Sequence, residues 1–257
     1  MLPISKHISI ILLLAIYSPI IITGDKSSDT SLPVFVSLGW DCEPALSLRN
    51  LELRTEAYPF DWNNTPQFSQ ICNMIKNKFK DFLNPLFLKH NGASIKHTQY
   101  EIEFRHDFPS LTPHGTTGIV DFDSSLQPYY GGFIVDNFLD FLPIIAEKYT
   151  RRINRFLELL SSTKKIVFIR THLTPEDAKQ FVTLMETYYP NLNYQLIGLQ
   201  SNNDIILKWE QIPSVKIYHT QTKHTHNGGW IQPQEWLEIM TQYGLNKKVI
   251  LYSRHTL

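Results

Sequence analysis

Cys42 is the residue of this chain best placed to do chemistry. In VFVSLGWDCEPALSLRN, residues 34–50, a short β-branched and aromatic run (Val34, Phe35, Val36) turns at Gly39 and delivers Cys42 at the start of an expected helix. Asp41 suits a helix N-cap and Glu43 a first turn, and Pro44 is tolerated where amides have no intrahelical acceptor to lose. With Asp41 as the cap, Cys42 is the first helical residue, where unpaired N–H groups and the helix dipole favour thiolate. The carboxylates of Asp41 and Glu43 oppose this, so only a modest activation is expected unless a histidine stands close. The amides from Gly39 to Glu43 are expected to gather as oxyanion donors.

Other side chains invite other chemistry. His224 and His226, with His219 and His172, have zinc-ligand character, because an H-x-H pair on a strand puts both imidazoles on one face. No third ligand stands at a fixed spacing, and Thr220 to Gly229 reads as a solvated loop, so no metal is expected. Arg151, Arg152 and Arg155 carry forks that match a carboxylate or phosphate, although such a run is more often a helix face pairing with local acids. Arg170 is the more interesting arginine, at the carboxyl end of an expected central strand where open α/β sheets bind ligands. There is no Gly-rich phosphate loop and no G-x-S-x-G, so nucleotide and serine-hydrolase chemistry lack their signatures and no cofactor is expected.

The elements that must position these groups follow from periodicity. Helices are expected over 42–53 and from Pro66 to Phe82, where Phe68, Ile71, Cys72, Ile75, Phe79 and Phe82 fall at spacings of three and four. Between them Tyr58-Pro59-Phe60-Asp61-Trp62 is expected to pack back on the Cys42 turn. Tyr100 to Phe104 alternates as a strand, Ile119 to Phe122 is a second candidate, and a helical pattern interrupted at Pro143 runs from Phe133 to Leu160. Lys165 to Arg170 (strand), Thr174 to Tyr189 (helix) and Tyr194 to Leu199 (strand) form a β-α-β unit, and such crossovers build parallel sheets. Val215 to His219 and Val249 to Tyr252 add strands, and Pro233 to Tyr243 a closing helix. The fold class is α/β, a single three-layer domain with a mostly parallel sheet.

The chain has 257 residues, with Lys plus Arg and Asp plus Glu equal at 24 each, so no global field recruits nucleic acid or an anionic membrane. Residues 1–24 stand apart: Lys6 and His7 precede an apolar run from Ile8 to Thr23, short for a bilayer span but normal for a secretory signal peptide. An uncleaved anchor is the alternative. Residues 25–32 read as a linker, and residues 33–257 as the folded domain. Export makes a disulfide between Cys42 and Cys72 conceivable, and it would remove the nucleophile; Cys72 otherwise reads as a buried hydrophobe on a helix stripe. Asn63-Asn64-Thr65 is an acceptor sequence for N-glycosylation.

The segments SLGWDCEPALSLRNLELRTEAYPFDW, FRHDF, RRINRF and KKIVFIR, in that order, resemble a domain-of-unknown-function family described as papain-like cysteine peptidases. The resemblance covers roughly residues 34–200. It implies that Cys42 and His106, in the HDF motif, form a catalytic pair. The β-α-β unit departs from a papain fold, whose histidine sits on an antiparallel barrel, so the mechanism is expected without that fold.

His106 is then the best base, following an expected strand and flanked by aromatic residues. Its orienting residue is less defined. Asp107 is adjacent, but strand neighbours face opposite ways. Asp121, on the next candidate strand, is preferred over Asp61. Together these readings describe an exported thiol-dependent hydrolase or acyl-transfer enzyme acting on a peptide or other acyl substrate. The alternatives are a non-catalytic α/β binding module for a glycan or anionic ligand, and a sugar-transfer enzyme whose arginines hold a phosphate.

Overall fold

The run Ile166–Thr171 has no polar face, and all six of its residues are buried, as a strand covered on both sides must be. It lies at the centre of the architecture. The structure is a computed structural model and describes residues 32–111, 117–118, 133–201, 209–221 and 231–243. Along the chain come β1 (Val34–Ser37), α1 (Glu43–Asn50), β2 (Asn63–Asn64), α2 (Phe68–Lys76), β3 (Leu88–His90), β4 (Ile95–His97) and β5 (Ile102–Phe104). After β6 (Ser110–Leu111) and β7 (Thr117–Gly118) follow α3 (Leu142–Leu160), β8 (Ile166–Thr171), α4 (Pro175–Tyr188), β9 (Tyr194–Ser201), β10 (Val215–Thr220) and α5 (Pro233–Thr241).

The fold is mixed α/β. Its main sheet has the order β1-β8-β9-β10 and every pair in it is parallel, with Val34 opposite Ile166 and Phe168 opposite Leu196. Side-chain alternation sends successive residues to opposite faces. Val36, Phe168 and Leu196 pack with Phe68 and Ile71 of α2, Tyr149 and Phe156 of α3, and Phe181 of α4. Phe35, Val167, Ile169 and Ile197 pack with Leu48 of α1 and with Trp236 and Ile239 of α5. Helices therefore cover both faces, and each large side chain so buried contributes about 1.5–3 kcal/mol. The expected strand over 249–252 lies outside the described residues, as does the 119–122 candidate and the N-terminal segment 1–31.

A second sheet, wholly antiparallel, has the order β2-β5-β4-β3 and was not anticipated as a sheet. Of its strands only β5 was expected, within Tyr100 to Phe104; the other three are two or three residues long, too short for alternation to announce them. Phe104 of β5 and Phe82 meet Tyr149 of α3 at ring-centroid distances of 5.5 and 5.2 Å, which joins this sheet to the helix layer.

Two helix boundaries differ from expectation for clear reasons. Instead of running to Phe82, α2 stops at the C-cap Asn77, because Lys78 and Phe79 turn left-handed. The Phe79 amide donates to Met74 O at 2.8 Å and the Lys78 amide to Ile75 O at 3.1 Å, a Schellman closure with lysine in the usual glycine place. Phe79 and Phe82 still reach the core, so the apolar spacing continues past the helix. In the other case Pro143 does not interrupt a helix but opens one, standing in the first turn of α3 where its missing N–H costs nothing.

Candidate active site

Gly39 and Trp40 make the turn that follows β1, with φ of 76° and 82°. Glycine is required at the first of these: a Cβ there would stand 2.5 Å from Thr65 Oγ1 and 3.2 Å from Phe60 O. Thr65 takes that space. Its hydroxyl accepts the Trp40 amide at 2.7 Å, and its own amide donates to Trp40 O at 2.9 Å. On the neighbouring strand's exit His172 also has a left-handed φ of 54°, and its ring lies 4.5 Å from that of Trp40. The loops leaving the carboxyl ends of β1 and β8 thus meet.

The helix begins one residue later than expected, and this changes the thiol. Cys42 is the N-cap of α1, and Asp41 Oδ1 accepts the Glu43 amide at 2.9 Å. The donors expected to serve an oxyanion are largely engaged, since the Gly39 amide goes to Ser37 Oγ at 3.1 Å and the Trp40 amide to Thr65. Cys42 is half-buried against Ala45, Leu46 and Trp62, which also confirms that the Tyr58–Trp62 segment packs back on this turn. Burial, with the Asp41 and Glu43 carboxylates, pushes the Cys42 thiol up to about 12, while Arg105 draws it down. The expected activation is therefore reversed in the resting protein.

Arg105 acts on Cys42 because β2 links their segments. Asn63 pairs with Phe104, and Thr65, one residue beyond β2, holds Trp40. His106 follows at once, half-buried, with burial lowering its pKa to about 4 against the opposing pull of Asp107. The imidazole is therefore neutral near pH 7.

Asp107 is buried within a polar cluster. Lys148 Nζ stands 2.6 Å from Oδ1 and Arg152 Nη1 3.9 Å from it, while Tyr149 Oη lies 2.7 Å from Oδ2 and 2.9 Å from Asn63 Oδ1. These cations and the Tyr149 hydroxyl outweigh burial and hold the Asp107 carboxyl below its ordinary value. Sequence reasoning missed this cluster, although Lys148 and Arg152 at i, i+4 on one helix face offered a signal. Beside it Asp107, Pro109, Phe141, Ile145 and Lys148 line a cavity of about 150 Å³.

The segments that carry Cys42 and His106 both fall within the stretch that a family comparison matches. Residues 33–210 match the family described as "putative papain-like cysteine peptidase". The chain belongs to this family. It is also 30% identical over 190 residues to an uncharacterised protein of Acanthamoeba polyphaga mimivirus, an alignment covering 64% of this chain and 74% of the viral protein. No solved structure matches it significantly.

Of the remaining residues singled out in this family member, Asp121 lies outside the described residues, as do His224 and His226. Asp61 is a turn carboxylate: Oδ2 accepts the Tyr58 amide and Arg54 Nε, each at 2.9 Å, and burial raises its pKa despite Arg54. The arginine run does not converge on an anion. Arg151 pairs with Glu147, Arg152 faces Asp107, and Arg155 reaches Glu56 at 2.9 Å and Ala57 O at 2.8 Å. Arg170 is buried rather than open to a cleft. His219 is exposed on β10 while the His172 ring lies tilted against Trp40, and among the described residues no group of three metal-ligand side chains occurs. Both cysteines are free thiols, so no disulfide joins Cys42 to Cys72. Asn63 is buried, its amide nitrogen donating to Pro59 O at 2.7 Å, so the acceptor sequence is closed in the folded protein. Among the described residues no helix is long and apolar enough to cross a membrane.

Proposed function

We propose that the protein is a thiol-dependent hydrolase or acyl-transfer enzyme of the papain-like type, with Cys42 as nucleophile and His106 as base. Its substrate is a peptide or other acyl compound, Asp121 orients the imidazole, and residues 1–24 direct export. The observation that supports this most is the backbone link through β2: Thr65 holds the Trp40 turn two residues before Cys42, and Asn63 pairs with Phe104 two residues before His106, while Cys42 is the only half-exposed thiol among the described residues. With the thiol raised to about 12 and the imidazole lowered to about 4, both groups rest neutral. In contact, each charged form stabilises the other, so the reactive form on this reading is a thiolate–imidazolium pair.

The test is hydrolysis of a mixed peptide or acyl-ester library by the full chain and by Cys42→Ala and His106→Ala. Loss of turnover in both, with a thioester intermediate trapped at Cys42 in the parent, supports the reading. Turnover unaffected by Cys42→Ala ends it. The upward-shifted thiol favours one other reading, a non-catalytic α/β binding module. Absence of any acyl-enzyme across the library, with ligand-dependent thermal stabilisation instead, would favour that module.

A further inference from the structure

We infer that Arg170 is the positioning residue of the Cys42 turn, an inference that rests on Cys42 being the reactive group proposed above. The guanidinium joins the exit of β1 to the residue that follows β2, across the two sheets. Nη1 donates to Leu38 O at 3.0 Å and to Thr65 Oγ1 at 2.6 Å, and Nη2 donates to Thr65 O at 2.5 Å. Thr65 Oγ1 accepts the Trp40 amide as well, so one hydroxyl couples the arginine to the left-handed residue two before Cys42. Remove the hydroxyl and the Trp40 amide loses its acceptor.

The surroundings argue against an incidental core arginine. The guanidinium carbon lies 5.5 Å from the Trp40 ring centroid and 5.3 Å from that of Phe68, so the charge is held between two aromatic faces. Arg170 is 1% exposed, forms no ion pair among the described residues, and leaves its Nε without a partner. Burying a cation without an ion-pair partner is costly, even with the Asp177 and Asp41 carboxylates favouring its charge from a distance. What the arginine supplies and a hydrophobe cannot is the fork that grips Leu38, Thr65 and, through Thr65, Trp40. The same grip fixes how deeply Cys42 sits against Ala45 and Trp62.

The experiment measures iodoacetamide labelling of Cys42 in the folded full chain as a function of pH, resolved from Cys72 by peptide mass mapping. Variants are Arg170→Lys, Thr65→Val and Thr65→Ser, with Ile197→Val as a core change on the opposite face of the sheet. In Arg170→Lys and Thr65→Val the loosened turn exposes the thiol, and labelling at pH 8 rises about tenfold, the effect of a one-unit fall in thiol pKa. Thr65→Ser, which keeps the hydroxyl, and Ile197→Val follow the parent profile. Parent-like labelling in Thr65→Val, whatever its melting temperature, overturns the inference, and that variant decides alone if Arg170→Lys does not fold. Because labelling needs no turnover, a parent protein that hydrolyses nothing defeats the hydrolase reading without touching this one.

Discussion

Tyr149 Oη lies 2.7 Å from Asp107 Oδ2 and thereby ties the residue after His106 to the middle of α3. The same hydroxyl faces Asn63 Oδ1, so three segments far apart in sequence meet at one oxygen. Replacing Tyr149 by phenylalanine leaves the Asp107 carboxylate short of a buried donor. Urea denaturation of Tyr149→Phe is expected to show a loss of about 1–3 kcal/mol. Because the cluster anchors the chain next to His106, hydrolysis is expected to fall further than stability alone accounts for; an unchanged kcat would separate the cluster from the imidazole.

Stability is expected to decline on mild acidification. His106 has a folded pKa of about 4 against an ordinary 6.5, and His97, whose Nδ1 accepts the Tyr100 amide, is shifted in the same direction by burial. A group whose folded pKa is depressed binds its proton first in the unfolded chain, so its contribution is complete above pH 6.5 and is lost as pH falls towards the folded value. Asp107, also depressed, extends the loss below its ordinary 3.8, while Asp61, raised by burial, works the other way. Melting temperature measured from pH 7 to pH 4 is expected to fall across that window, and His106→Gln is expected to flatten the curve.

The resting thiol is expected to be inert. With a pKa of about 12, Cys42 is thiolate in only about one molecule in ten thousand at pH 8. Labelling is then roughly a thousandfold slower than for free cysteine. Asp41→Asn retains the oxygen that accepts the Glu43 amide but removes a carboxylate, and so speeds labelling. Arg105→Gln removes the charge that lowers the thiol pKa, and so slows it. Equal rates in the two variants would mean that burial alone governs the sulfur.

Gly39→Ala is expected to be among the most damaging small substitutions. A left-handed non-glycine residue costs about 1–3 kcal/mol, and the added methyl meets Thr65 Oγ1 and Phe60 O besides. Chemical denaturation is expected to show the loss. The variant should also label faster at Cys42, because the methyl displaces the threonine that fixes the turn.

How much of this was legible beforehand depends on whether the signal was local. The strand Ile166–Thr171 and the helix after Thr174 announce themselves, one by an unbroken apolar run, the other by a capping box in which Thr174 and Asp177 exchange side-chain-to-backbone bonds at 3.1 and 3.3 Å. The turn holding Cys42 was equally plain. The end of α2 was not, because Lys78 enters left-handed space only to bring Phe79 inward, a tertiary demand that overrides propensity. Nor was the sulfur's state, which depends on how Trp62 covers it and on an arginine sixty-odd positions away. For Arg170 the strand end was read correctly, but its partners Leu38 and Thr65 come from across the chain, and no spacing rule records them.

The bond from Arg170 to Leu38 closes a separation of 132 positions. Contacts of such span form slowly, because the entropy of closing the intervening loop must be met first. The turn that carries the cysteine is therefore expected to be completed late, when β1 docks on β8. A chain emerging from denaturant should carry an ordinary, avidly modified sulfur for most of its refolding and lose that reactivity in the closing phase, so that quenched alkylation becomes a clock for completion of the native state.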